Sequence, residues 1–340
     1  MERREFLKAG TAGFASLLTG TGLLSWSPRS EAATISKTFY ITSGTQTMPD
    51  GVSVYFKGFS DSSADLNVPA TPIICQEGDT LQITVINRLA VTHNFVIGGL
   101  KAGDPPLASS GDIAGGGSAT ITFTIPTGKA GSYLFYDNKT SYNVFLGLHG
   151  GLAIMPAGIS NQVYSGSPTF VKQLFWVFND IDPTLNKAVQ QGTTVPTSFT
   201  PRYFTINGQT SLPPGAVGFN DPTQDAMANP QTMLEGSVGD RTLVRMLNAG
   251  MCSHAVHTHA NHMEWLTDRG TVRSSVWKKD VLYLRNSLGK IDAIFPFEAP
   301  PDAYPAVTTG HFPMHLHDEM SQTAGGGMYL FGAMTEIVFV

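Results

Sequence analysis

The chain has 340 residues, enough for two domains of ordinary size. Charged residues make up only 14%, against 36 glycines and 21 prolines, a mixture that suits a β-rich protein with many turns. The net charge of −5 gives no sign of nucleic-acid binding.

The N-terminus reads as an address rather than part of the fold. Arg3-Arg4-Glu5-Phe6-Leu7-Lys8 is a twin-arginine pattern, Ala9 to Trp26 is mildly apolar, and Glu31-Ala32-Ala33 is a small-residue cleavage site. That order describes an export signal, residues 1–33, and predicts a periplasmic or otherwise exported protein. A membrane anchor is the competing reading, but the run is short and interrupted by Gly and Ser. The two cysteines, Cys75 and Cys252, lie in different predicted domains. An oxidising compartment permits a disulfide between them, and two separate buried thiols are the plainer alternative.

Residues 34–158 follow as short strands with turn signals. Thr38–Thr42 reads as a strand, and Glu77-Gly78-Asp79 turns into a strand with alternating Leu81, Ile83 and Val85. His93, the glycine-rich stretch 111–117, Gly131-Ser-Tyr-Leu-Phe-Tyr-Asp137 and Gly147-Leu-His149-Gly-Gly complete the unit. Helical periodicity is nearly absent, so a β-sandwich is expected. A Gly/Ser/Pro-containing linker spans about 159–169. Residues 170–340 repeat the plan: a strand from Val171, an Asn207-Gly208 hairpin turn, and Gly239-Asp240 feeding another alternating strand. Residues 185–201 and 211–233 read as long loops.

Seven of the nine histidines fall between His254 and His317. Each cluster holds a His-x-His pair, His257-Thr258-His259 and His315-Leu316-His317. Residues i and i+2 of a strand share a face, so two such strands side by side would converge four imidazoles. Imidazole is a good ligand for copper, zinc, iron and nickel. His257, His259, His315 and His317 are therefore the predicted metal ligands. His254, His262 and His93 are candidates for further ligands or for hydrogen-bonded support. His311 reads as a rim residue and His149 as part of a closing turn. Met314, Met320, Met328 and Met334 form a soft-ligand set or fill the core. Asp318 and Glu319 read as a tuning pair or a solvated loop.

With Phe204-Thr-Ile-Asn-Gly-Gln and Val244-Arg-Met-Leu-Asn-Ala, these motifs resemble the multicopper oxidase family over most of the chain. The resemblance implies an all-β fold of two tandem cupredoxin-like Greek-key sandwiches, with copper as cofactor. His254-Ala-Val-His257-Thr-His259 and His315-Leu316-His317 resemble the family's third and fourth copper motifs. The family places a cysteine between the last two histidines, where this chain has Leu316, and a later histidine where it has Ser321. In the first domain the corresponding motifs shrink to His93-Asn94-Phe95 and Asp137-Asn138-Lys139. The expectation is a histidine-only site for one or two coppers without blue copper. It would serve an oxidoreductase fed by a small-molecule or metal-ion reductant, with a homotrimer as the family's assembly. A redox-silent scaffold or copper carrier of the cell envelope is the alternative, and four histidines alone leave zinc or iron open.

Overall fold

A computed structural model describes residues 27, 29–48, 51–210, 231–286, 288–299, 309–318, 323–324, 328–329 and 332–340. The expected export signal, the 211–233 stretch and the Glu319–Ser321 segment lie wholly or mostly outside them. Among the described residues no helix is long and apolar enough to cross a membrane.

Nine strands come first: β1 (Thr34–Thr47), β2 (Ser53–Ser60), β3 (Ala70–Gln76), β4 (Thr80–Asn87), β5 (Val96–Ile97), β6 (Ala108–Ser109), β7 (Ser118–Thr124), β8 (Gly131–Tyr136) and β9 (His149–Met155). They form two sheets, ordered β2-β1-β4-β7 and β3-β9-β8-β5-β6. The alternation read in β4 is kept, with Leu81, Ile83 and Val85 buried in a core that also stacks Phe39, Phe59, Phe95 and Phe135. The Glu77-Gly78-Asp79 turn works through its acid: buried Asp79 accepts from the backbone N–H of Gln76 and of Ala33, each at 2.9 Å. Gly78 supplies the left-handed φ of +88°.

The second unit begins with β10 (Lys172–Ile181), a helix α1 (Pro183–Gln191), β11 (Tyr203–Ile206), β12 (Leu234–Gly236) and β13 (Arg241–Asn248). It continues with β14 (His254–Thr258), β15 (Met263–Asp268), β16 (Thr271–Lys279), β17 (Val281–Leu284) and β18 (Lys290–Pro296). β19 (Gly310–Leu316), β20 (Thr323–Ala324), β21 (Met328–Tyr329) and β22 (Met334–Phe339) end the chain. The sheets run β11-β10-β13-β18-β15-β16 and β12-β22-β19-β14-β17, with β20-β21 as a separate ribbon. The architecture is therefore the expected all-β, cupredoxin-like one.

The first half of the 185–201 stretch is a correction, for it is helical. Asp182 caps α1 by accepting from the N–H groups of Thr184 and Leu185, Pro183 occupies the first turn, and Gly192 closes it in the left-handed region. Residues 159–169 connect β9 to β10, partly exposed and partly packed. Val163 is fully buried and joins Phe170 in a third core between the units. That core sets Ile74, Leu134 and Met155 against Phe175, Leu243 and Ile294. Buried within the same interface is one ion pair, Arg245 Nη1 to Asp292 Oδ1 at 3.7 Å. Both cysteines are free; Cys75 is buried and Cys252 half-buried.

Candidate metal site

β14 and β19 are antiparallel neighbours with Val256 opposite Leu316 and His257 opposite His315. Burial alternates along β14: His254, Val256 and Thr258 face the core, while Ala255 and His257 face outward. In β19, Met314 and Leu316 are buried, leaving His311, Pro313 and His315 on the outward face. The outward row through the centre is Val281–His257–His315–Met334, set by pairing with β17 and β22. His259 continues β14 beyond one side of this row. His317 continues β19 beyond the other, its N–H donating to the Ala255 carbonyl at 2.9 Å.

Ligand nitrogens of His257, His259 and His315 all lie within 4.8 Å of one another. His259 Nε2 and His315 Nε2 are 3.2 Å apart. Two imidazole nitrogens each about 2.0 Å from one tetrahedral ion are about 3.3 Å apart, so this spacing fits a shared metal. His315 Nδ1 lies 3.2 Å from the Leu316 carbonyl oxygen; donation there leaves Nε2 as the free nitrogen. His257 Nδ1 is buried without a hydrogen-bond partner, as expected of a nitrogen kept for a ligand. His317 takes another posture. Its ring stacks on His257, with centroids 4.4 Å apart and planes 14° apart, and it stands outside the group of converging nitrogens.

The electrostatics suit a metal. Burial first, and then repulsion from His259, His317 and His315, pull His257 down to about 4. Burial also lowers His259 and His315, with His317 adding to the effect in both. His257 is therefore a neutral donor through the mildly acidic range, and metal ligation needs that form.

The other histidines divide cleanly. His254 is three residues from His257, so it points to the opposite face, and it is not with the cluster. It lies buried against Phe178, with Nε2 3.1 Å from Asp180 Oδ1 and Nδ1 3.8 Å from Asp318 Oδ2. Burial alone would lower His254, but Asp180 and Asp318 override it and raise it to about 9. A raised folded value stabilises the fold fully below the unfolded value of about 6.5 and loses that contribution as pH climbs through about 9. The stability difference between the native protein and His254→Gln should therefore shrink from pH 6 to pH 10 in urea titrations. A constant difference would remove the charged-histidine assignment.

His93 is committed elsewhere. Its Nδ1 lies 2.5 Å from Asp137 Oδ2, its Nε2 lies 3.4 Å from Lys57 Nζ, and Asn143 donates to Asp137 Oδ1 at 3.0 Å. All four side chains are buried. A protein cation thus stands against the nitrogen that a metal would need. His149 is also buried, 2.7 Å from the Val144 carbonyl oxygen, and burial pulls it down to about 4. His262 is exposed and outside the converging group, and exposed His311 pairs with Glu336 at 2.9 Å. Lys57, Asn143, Asp180 and Glu336 gave no signal in the sequence, because each matters only through a neighbour distant along the chain.

Residues 62–158 match the family model described as multicopper oxidase. No curated protein matches the sequence. The solved structures similar to this chain include the multicopper oxidase mgLAC, 21% identical, with a TM-score of 0.67 over 90% of this chain and 86% of that one. The blue copper oxidase from Nitrosomonas europaea is 19% identical, with a TM-score of 0.66 over 90% and 85% of the two chains. The copper nitrite reductase from the same organism is 16% identical, with a TM-score of 0.62 over 90% and 94%. At these identities the likeness is one of fold, the cupredoxin-like fold that the motif resemblance implies.

Proposed function

We propose that this chain is an exported copper-binding oxidoreductase of multicopper oxidase type, with a reduced, histidine-only site. The observation that carries the reading is the convergence of His257, His259 and His315 on adjacent strands. His317, stacked on the His257 ring, is the proposed fourth donor. Copper held there would supply one-electron chemistry. The protein's part is to keep His257 neutral, to fix His315 through the Leu316 carbonyl, and to hold a positive charge on His254 beneath the strand. Leu316 provides no thiolate, so blue copper is not expected. A small-molecule or metal-ion reductant would have to reach the site itself, and export by the twin-arginine route and a homotrimeric assembly belong to the same proposal.

Elemental analysis, EPR and visible spectra of copper-replete protein test this. The expected result is about one copper per chain with no intense blue band, because that band needs the missing cysteine. A strong blue band or no bound metal would overturn it. A redox-silent scaffold or copper carrier is the second reading. The burial of His93 between Asp137 and Lys57 favours it, since that leaves the first domain without a free histidine there. Bound copper with no oxygen-dependent turnover of any reductant would decide for it.

A further inference from the structure

Residues 29–33, the last stretch of the expected export signal, are tied to the first sandwich by one buried acid. Asp79 is fully buried in the turn before β4. Its Oδ1 accepts from the Ala33 N–H at 2.9 Å, and its Oδ2 accepts from the Gln76 N–H at 2.9 Å and from Arg29 Nη2 at 2.5 Å. The Gln76 side-chain amide donates to the Arg29 carbonyl at 3.1 Å, and the Thr80 N–H donates to the Ala33 carbonyl at 2.9 Å. Ala33 is thus gripped at both its N–H and its carbonyl, while Ser30, Glu31 and Ala32 are exposed. Among the described residues, Arg29 is the cation paired with Asp79. A buried carboxylate is costly without a counter-charge, and any cut between Arg29 and the fold removes this one.

The position of the cut decides what replaces it. Hydrolysis of the Ala32–Ala33 amide consumes one water, leaves a carboxylate on Ala32 and turns the Ala33 nitrogen into an α-ammonium. That nitrogen already lies 2.9 Å from Asp79 Oδ1. A cut after Ala33 would remove both Arg29 and the Ala33 nitrogen and leave the acid uncompensated. Ser30-Glu31-Ala32 also supplies small residues at both positions that a signal cleavage site needs. We infer that processing falls at the Ala32–Ala33 bond, and that the new α-ammonium of Ala33 takes over from Arg29 as the counter-ion of buried Asp79. The inference rests on the proposed export and not on the metal. The other titratable groups nearby are the same before and after the cut. Glu77 in the same turn accepts from the N–H groups of Lys129 and Ala130, and burial pushes the Cys75 thiol of β3 well up, so it stays neutral.

Intact mass and N-terminal sequencing of the exported protein, beside the full chain purified uncut, test this. The exported protein should begin at Ala33; a start at Thr34, or anywhere upstream of Ala33, would overturn the inference. Urea titrations test the counter-ion. An α-ammonium paired in the fold has a value raised above its unfolded value of about 7.7–8.0, so its contribution is full below that range and is lost as pH climbs through the folded value. The stability difference between exported native protein and exported Asp79→Asn should therefore shrink from pH 7 to pH 10, by about tenfold in the unfolding constant for a folded value one unit higher. In the uncut chain, where Arg29 keeps its charge, the difference should stay constant. Arg29→Gln should lower the urea midpoint of the uncut chain and leave that of the exported protein unchanged. A pH-independent difference in an exported protein that begins at Ala33 would overturn the ammonium's role. Copper is assayed on the same exported protein. An Ala33 start without bound copper sinks the metal reading alone, and bound copper with another start sinks this inference alone.

Discussion

Replacing His257 and His315 together by alanine is expected to strip copper from the protein while leaving the fold in place. The two residues face each other across β14 and β19, and they contribute two of the three converging nitrogens. Removing a residue that only supports a metal ligand costs about 10–100-fold in affinity, so losing two direct ligands should exceed that range. The fold should survive because both side chains face outward, away from the Val256, Met314 and Leu316 core. Relief of crowding among imidazoles offsets part of the lost packing, since His257 is already held near 4 by burial and by its neighbours. Equilibrium dialysis against buffered copper, beside far-UV circular dichroism, checks both halves. Copper retained at native affinity in the folded double variant would place the metal elsewhere. His93→Ala is the matched control. It should leave copper affinity unchanged and lower stability, because it leaves buried Asp137 and Lys57 without the ring between them.

The strand period made this site legible. His-x-His read at period two puts both rings of a pair on one face, and β14 and β19 set His257 opposite His315, with His259 and His317 on opposite sides of that row and only His259 converging with them. The same parity argument, carried one step further, puts His254 on the opposite face from His257, because their separation is odd. The fold was legible for a related reason: the Gly-Asp turns and alternating strands mark both sandwiches, and Asp79 and Asp240 each bind back to the turn they sit in. What stayed hidden depended on contacts between distant segments. Nothing in the sequence around Lys57 tells that its ammonium reaches His93, or that Asp180 in β10 lies against His254 in β14. The helix α1 was signalled by Asp182-Pro183 and Gly192, and it was obscured because the run is only 9 residues long.

Breaking the Arg245–Asp292 pair is expected to be the most damaging single change away from the histidines. Arg245 is fully buried and Asp292 nearly so, in the interface between the two sandwiches. The guanidinium is spread over both units: Nε donates to Gln173 Oε1 at 3.0 Å, Nη1 to Ser132 Oγ at 2.9 Å, and Nη2 lies 3.1 Å from Met155 Sδ. Asp292 accepts from Ser132 Oγ and, at 2.7 Å, from Thr267 Oγ1. Burial pulls Arg245 down to about 10, against the opposing pull of Asp292, so each charge depends on the other being there. Arg245→Met leaves the carboxylate buried without its counter-ion, a change that typically costs about 3–5 kcal/mol. The double change Arg245→Met with Asp292→Leu removes both charges and should recover at least half of that loss, because an apolar pair needs no compensation inside the Leu134, Phe175 and Ile294 core. Urea titrations of the three proteins check the ordering of single, double and native. A single variant within about 1 kcal/mol of native would mean that hydrogen bonds from Ser132 and Thr267 suffice to hold the Asp292 charge, and that the arginine contributes orientation between the sandwiches rather than stability.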